Sequence, residues 1–354
     1  MLPSSILEKK PQARAQAYAR AGVDIQLGNQ VKSTLARKLA GTHRPEVLGK
    51  VGGFGGLFDA RFKGYKEPVL VSSIDGVGTK LKVAIAVGRH DTVGVDLVNH
   101  CVNDIAVVGA RPLFFLDYIG VGKLEPRVFS DLIKGLTQAC CRAGCALIGG
   151  ETAQMAGIYQ GQDYDLVGTI IGVVERKRMI DGKRIRPGDC IVGFPSNGLH
   201  TNGYSLARKI LFETLGLKLS SALPYSKTTR PTVAQELLKT HLNYEPLLRK
   251  LAGEIDFKGL AHITGGGLIN NLPRILPEHV AAEIELTSWP VPPLFKLLVD
   301  AGRLPTEEAY QVFNMGIGMT AVVSPKDAER ILKKTRAYII GKIVRGKKNV
   351  ILQR

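Results

Sequence analysis

Two kinds of segment alternate along this chain: short β-branched and aliphatic runs, and longer stretches whose apolar residues recur with a helical period. That alternation confines it to αβ architectures, in which helices cover the faces of sheets. "PVLVSSI" (68–74) reads as a strand before an amphipathic helix over 91–109, and "LFFLDYI" (113–119) as a strand before a helix over 125–143. "CALIGG" and "YDLVGTIIGVV" (164–174) complete a first set of strands. A basic stretch with a Pro-Gly turn, "ERKRMIDGKRIRPGD" (175–189), makes the best boundary. A second set begins at "CIVGFPS" (190–196), runs through helices at 203–215, 231–252 and 326–336, and ends on "YIIGKIV" (338–344). The expectation is two αβ domains, 1–175 and 176–354, and 354 residues suffice for both.

At 45% hydrophobic and 22% charged, the chain has the composition of a globular protein. Its longest apolar runs fall short of the ~18 residues that span a bilayer, and residues 1–22 lack the apolar core of a signal peptide. A cytoplasmic protein with no membrane partner is expected. Cys101, Cys140, Cys141, Cys145 and Cys190 form no CxxC pair and are read as buried reduced thiols. The net charge of +17 raises the question of nucleic acid, but the basic residues are spread out and no zinc-finger, RNA-recognition or arginine-rich motif is present. No dedicated nucleic-acid partner is expected; a distributed positive field also steers anionic small molecules.

Four clusters carry chemistry. In "LVSSIDGVGTKLKVA" (70–84) a strand exit holds Asp75, Gly76, Gly78, Thr79 and Lys80. Glycines let backbone approach a phosphate, an aspartate offers Mg²⁺ a hard oxygen, and a lysine offers phosphate a point charge. An ordinary glycine turn with a capping aspartate fits the same residues. In the helix that follows, Val95, Val98, Val102 and Ile105 make one stripe, with Asp96, His100, Asn103 and Asp104 opposite. Such a face is either wet or part of a metal–phosphate site. Glu151, after Gly149 and Gly150 at a strand exit, is either another Mg²⁺ ligand or a helix N-terminal acid. Finally, "PSNGLHTNGYSL" (195–206) and "GLAHITGGGLINNLPRILP" (259–277) put His200 and His262 into glycine-rich contexts, with Gly265 and Gly266 ahead of a helix expected at Leu268. No Walker A motif or dinucleotide fingerprint is present.

Through "AGVDIQLGN" (21–29), "GGFGGLF" (52–58), "VSSIDGVGTKL", "HDTVGVDLVNHCVNDI", "PLFFLDYIGVGKL" (112–124), "GGETAQM", "SNGLHTNGYSL", "AHITGGGL" and "FNMGIGM" (313–319), in this order, the chain resembles the phosphoribosylformylglycinamidine cyclo-ligases (aminoimidazole ribonucleotide synthetases) of purine biosynthesis. The resemblance implies a ligase using ATP and Mg²⁺. The formyl oxygen of formylglycinamidine ribonucleotide would attack the γ-phosphate, and the amidine-side nitrogen would then displace phosphate as the ring closes. It implies an N-terminal ATP-binding domain whose sheet pairs with that of a second subunit as a barrel in a homodimer, and a C-terminal αβ domain. Carried over by position, Asp75 and Asp104 become the first candidates for Mg²⁺–ATP, and Asp96, Asn103 and Glu151 the second. Thr79 and Lys80 would touch phosphate, while His200 and His262 join the cleft. Two departures stand out: Gln154–Met155–Ala156 replace the family's Glu-Met-Pro, and Ala36, beside Arg37 and Lys38, falls where a lysine is common. Among relatives of this architecture, hydrogenase-maturation dehydratases end on a cysteine, where this chain ends "VILQR". Thiamine-phosphate kinases show paired aspartates where this chain has the single Asp75. Selenophosphate synthetases carry a reactive Cys or selenocysteine in a glycine-rich N-terminal segment, whereas the first cysteine here is Cys101. A polyanion-binding protein using the +17 charge is the alternative of a different class.

Overall fold

A computed structural model describes residues 22–49, 55–225 and 231–353. The segment read for a signal peptide (1–21) and Gly52–Phe54 of "GGFGGLF" lie outside these described residues.

The first half is a four-stranded sheet with helices on one face. Helix α1 (Ile25–Ala40) starts at Asp24, whose carboxylate accepts the Leu27 amide and caps the first turn. Then come β1 (Pro68–Gly76), α2 (Lys80–Val87), α3 (Asp91–Ala106), β2 (Arg111–Val121), α4 (Pro126–Ala143), β3 (Ala146–Gln154) and β4 (Tyr164–Glu175). The strand order is β1-β4-β2-β3, with β2 and β3 parallel across the α4 crossover and the other pairs antiparallel. Helices α3 and α4 cross closely at Gly94 and Gly135: a Cβ on Gly135 would lie 2.0 Å from the Asp91 carbonyl oxygen. This sheet does not close on itself. Its face away from the helices leaves Leu70 and Ile74 of β1 59% and 67% exposed.

The second half holds β5 (Cys190–Pro195), α5 (Tyr204–Arg208, running into a π-helical turn, Lys209–Thr214), α6 (Val233–Leu237), α7 (Glu245–Leu251), β6 (Gly259–His262) and α8 (Gly267–Asn271). β7 (Val280–Glu285), α9 (Pro293–Gly302), α10 (Thr306–Val312), β8 (Ile317–Val323), α11 (Pro325–Lys334), β9 (Tyr338–Arg345) and β10 (Val350–Gln353) follow. Six strands pair in the order β10-β7-β9-β5-β8-β6, antiparallel except for β10 and β7.

Two expectations change. The single helix read over 231–252 is two short helices, α6 and α7, separated by irregular backbone at 238–244. The polar side of α3 is not a wet face. Asp96, Asn99, His100 and Asn103 are as buried as Val95, Val98, Val102 and Ile105, because α3 sits between its own sheet and the second half of the chain. Of the five cysteines expected as buried thiols, Cys101, Cys140 and Cys145 are buried, whereas Cys141 is exposed and Cys190 half-buried.

Candidate active site

Helix α3 is the axis of the site. Three of its short polar side chains, at spacings of three and four residues, share one face. Asp96 Oδ1 accepts the His241 amide at 2.6 Å, Asn99 Nδ2 donates to the His241 carbonyl at 2.7 Å, and Asn103 Nδ2 donates to the Leu242 carbonyl at 2.7 Å. Asn103 Oδ1 also accepts the Tyr244 amide at 2.8 Å. Within the 238–244 break, His241, Leu242 and Tyr244 thus satisfy backbone groups on α3, as buried peptide groups require.

Beneath this grip lies an interior ion pair. Lys80 Nζ stands 2.8 Å from Asp96 Oδ2, and both side chains have no exposure. The ammonium also donates to the carbonyls of His200 (3.1 Å) and Lys239 (2.6 Å). Burial pushes Lys80 down and Asp96 up, and each charge pulls the other back. These two residues depart from their expected roles. As the chain is folded, Lys80 reaches into the second half instead of an open phosphate site, and Asp96 is committed to Lys80 and His241 rather than to a metal.

The half-open end of the cluster is built by Asp75 and Asp104. Asp75 leaves β1 with Oδ2 2.9 Å from His100 Nε2 and Oδ1 accepting the Gly76 amide at 2.6 Å. Asp104 Oδ1 is 2.8 Å from His262 Nδ1, and its Oδ2 accepts from Ser73 Oγ at 3.1 Å. Burial alone would raise both carboxyls. His100 beside Asp75, and His262 and His100 beside Asp104, outweigh it and hold both below the ordinary range. His100 loses stability as a cation through burial, but its bond to Asp75 and the charges of Asp104, Asp75 and Asp96 raise it overall. Burial drives His200 and His241 far down and His262 down as well, against the pull of Asp104 on the last. Positive charge is thus favoured on His100, beside the two carboxylates, and disfavoured on the three imidazoles behind it.

His200 and His262 join one cluster without touching. His241 lies between them, its ring 4.1 Å from that of His200 and 4.9 Å from that of His262, centroid to centroid. His200 adopts φ of +61°, a left-handed conformation unusual for a residue with a Cβ. Among the described residues neither of its buried ring nitrogens has a hydrogen-bond partner. Gly318, from "FNMGIGM", leaves the space it needs: a Cβ there would lie 2.1 Å from Tyr244 Oη and 2.6 Å from His200 Cε1. Among the described residues, His100, Asp104 and His262 are the three whose donor atoms fall within 4.8 Å of one another.

The remaining candidates divide. Gly76 ends β1, Gly78 takes φ of +71°, and Thr79 Oγ1 lies 3.0 Å from Ser205 Oγ across the two halves. Gly265 and Gly266 precede α8 in a turn held from inside by Asn271 Nδ2, which donates to the Gly265 and Gly267 carbonyls. Gly265 sits against Asn202 of the His200 loop. Glu151 does not join them. The register places it in line with Tyr118, Val167 and Gly76, three strand spacings or about 14 Å from β1. Of the two departures, Gln154 clamps the backbone of Asp24 through bonds in both directions, 3.2 Å each. Lys38 reaches Ser130 Oγ on α4 at 2.8 Å, leaving it engaged away from Asp75; the Ala36 side chain lies outside the described ones. His241, Thr201 and Asn99 were missed by motif reading. The only hint was the run of helix-breaking residues, Asn243 to Pro246, inside an apolar period.

Comparison with known proteins places this geometry. Residues 60–174 match the family described as AIR synthase related protein, N-terminal domain, and residues 186–353 its C-terminal domain. The phosphoribosylformylglycinamidine cyclo-ligase of Geobacillus kaustophilus is 50% identical over 337 residues, 94% of this chain and 96% of that one. The enzyme of the same name from Geobacter sulfurreducens is 49% identical over 337 residues, again covering 94% and 96%. Among solved structures, E. coli HypE superposes with a TM-score of 0.67 at 19% identity, over 92% of this chain and 93% of that one. Thiamine-monophosphate kinase of Stenotrophomonas maltophilia gives 0.63 at 20%, over 90% and 94%. At such identities these two establish a shared fold.

Proposed function

The chain belongs to the phosphoribosylformylglycinamidine cyclo-ligase family, and from that premise we propose how its own residues carry the reaction. It is an ATP-dependent ligase of purine biosynthesis that closes the imidazole ring of aminoimidazole ribonucleotide from formylglycinamidine ribonucleotide. The single observation behind this is half identity maintained over 94% of the chain.

Chemically, an amide oxygen is a poor leaving group and phosphate a good one. Transfer of the γ-phosphate to the formyl oxygen gives an iminophosphate, and attack by the amidine-side nitrogen expels phosphate. Such a sequence asks a protein for positioning and charge stabilisation rather than a covalent nucleophile. The junction between the two sheets offers both. Asp75 and Asp104 supply hard carboxylate oxygens on the half-open side, and that donor set suits Mg²⁺. Asp96, closed off by Lys80, does not suit it. Bound there, Mg²⁺ would neutralise phosphate charge. Gly76, Gly78 and Thr79 at the β1 exit, and Gly265 and Gly266 ahead of α8, are the backbone positions for phosphate groups. Asn103 acts by holding 242–244 in place. His262 and His200 flank the reacting end, His262 through its bond to Asp104.

The domains divide at 1–175 and 176–354. Two copies pair through the uncovered sheet face, where exposed Leu70 and Ile74 supply apolar surface, closing a barrel across the homodimer. A cytoplasmic setting suits the pathway, and no helix among the described residues is long and apolar enough to cross a membrane.

The deciding experiment measures phosphate release from Mg²⁺–ATP with and without formylglycinamidine ribonucleotide, identifying the product by mass. One aminoimidazole ribonucleotide per phosphate is expected. Folded, ATP-binding protein that releases none on this substrate would overturn the reading.

A further inference from the structure

Past the last turn of α3 the two halves leave a second cavity, about 800 Å³ in volume. It lies between Ala106 at the helix end, Arg111 at the start of β2, residues 177–180 joining the halves, and α7. This is not the site built on Asp75. Arg111 pairs with Val173 on β4 and Asp75 with Gly168 of the same strand, five residues or about 17 Å along it. The floor is apolar: Ala106, Leu248, Ile255 and Leu260 are buried there. The rim is cationic, and its charges do not balance. Glu245 is taken by Arg249 Nε at 3.0 Å, and Asp256 by the two Nη atoms of Arg184 at 2.5 and 2.8 Å. Among the described residues, the side chains of Arg111, Lys177 and Arg178 form no ion pair or hydrogen bond. Lys177 and Arg178 stand on a fixed support, a 3₁₀ turn over Arg176–Arg178. On one side the Arg176 amide donates to the Glu67 carbonyl at 3.0 Å; on the other the Ile180 amide donates to the Val108 carbonyl at 3.2 Å. The chain itself has little to neutralise this rim with, because outside the described residues it holds a single acid, Glu8. A second copy brings a further net charge of +17.

We propose that this cavity is a second ligand site, separate from the reacting one, and that its ligand is a nucleoside mono- or diphosphate. Three uncompensated cations at one edge call for phosphate, and the planar fork of arginine grips phosphate oxygens in pairs. Inorganic phosphate alone would leave most of the volume empty, which falls within the range of about 300–1,000 Å³ typical of sites for cofactor-sized molecules. The buried aliphatic floor suits a flat base better than the hydroxyls of a bare sugar phosphate, which would lose their water against it. A long polyanion fits less well, since these cations surround a recess instead of lining a track.

Met179 supplies a local reporter. It lines the cavity, is 39% exposed and is one of five methionines, so its ¹³C-labelled methyl signal can be assigned by its loss in Met179→Leu. Titrating AMP into the Mg²⁺-free full chain should shift that signal saturably, and inorganic phosphate should need a concentration at least about tenfold higher to do the same. Arg111→Glu combined with Arg178→Glu should weaken AMP at this methyl by about 100-fold, tenfold for each charged contact removed. Both side chains are exposed, so the melting temperature should hold. If the charge reversal disturbs the fold, Lys177→Gln with Arg178→Gln replaces it, and a loss of about tenfold or more is expected. No saturable shift with AMP up to about 10 mM overturns the proposal. So does an affinity for AMP that the exchanges leave unaltered. Equal affinity for phosphate and AMP removes the nucleoside. A methyl that answers to a single-stranded oligoribonucleotide with a steep salt dependence, and not to AMP, replaces the small ligand by nucleic acid.

Discussion

Lys80→Met discriminates between two physical accounts of one lysine. If Lys80 were a phosphate contact, methionine would weaken ATP binding and leave the fold alone. The structure argues the reverse. The ammonium is fully buried and its three protons go to Asp96, the His200 carbonyl and the Lys239 carbonyl, joining α2 to two segments of the second half. Methionine fills much of the same volume but leaves the Asp96 charge buried and unmatched. Removing one partner of such a pair costs about 3–5 kcal/mol. With a guanidinium slope of about 4 kcal/mol/M, the unfolding midpoint should fall by about 1 M. The chain's single tryptophan, Trp289, is buried and donates to the Met315 carbonyl, so its fluorescence follows the second half, while far-UV circular dichroism follows both. The double variant Lys80→Met/Asp96→Asn should recover part of the loss. It removes the stranded charge, and the asparagine oxygen can still accept the His241 amide. A single variant as stable as the parent, with a large rise in the KM for ATP, would refute the argument and restore Lys80 to the phosphates.

Asp75→Asn and Asp104→Asn should each lower kcat by a factor of about 100 or more while the unfolding midpoint moves little, since both carboxylates sit at the half-open end of the cluster; steady-state turnover beside a melting curve checks this, and near-normal turnover removes that residue from the metal assignment. Stability should fall as pH drops from 6.5 to 5.5. His90, His200, His241 and His262 are held below their ordinary pKa by burial, so in this window the unfolded chain binds protons that the folded chain refuses. His100 has the opposite sign: its raised pKa supports the fold fully below 6.5, and that support is lost as pH rises from 6.5 through its folded value, so stability should also decline over that range. Denaturation midpoints at pH 5.5, 6.5 and 8 test both arms, and a fold that strengthens on acidification contradicts the assignment. Ile74→Asp places a charge on the uncovered sheet face and should convert a dimer to monomers in sedimentation; a species unchanged in mass would count against pairing through that face.

How legible this molecule was depends on where the partner of each side chain lies. The β1 exit could be read because its demands are local: Asp75 bonds the amide of Gly76, and Gly78 needs its positive φ within the same turn. Lys80 could not, since a lysine after a glycine turn looks alike whether it meets a phosphate or the carbonyl of Lys239, 159 positions away. The polar face of α3 lies between these cases. Asp96, Asn99 and Asn103 are poor helix formers with short, oxygen-bearing side chains, and nothing in a solvated helix face calls for them. What calls for them is a peptide backbone without partners of its own, and residues 241–244 are that backbone. The two misreadings, a continuous helix over 231–252 and a wet face on α3, are therefore one error seen from both sides. An apolar period that carries Asn243 and Pro246 cannot hold its hydrogen bonds as one helix, and a buried break must find donors and acceptors elsewhere. A helix bearing Asp and Asn at spacings of three and four is the element equipped to provide them. Matching such a helix to such a break would have brought His241 beside His200 and His262 before any coordinates, and with it the inner half of the site.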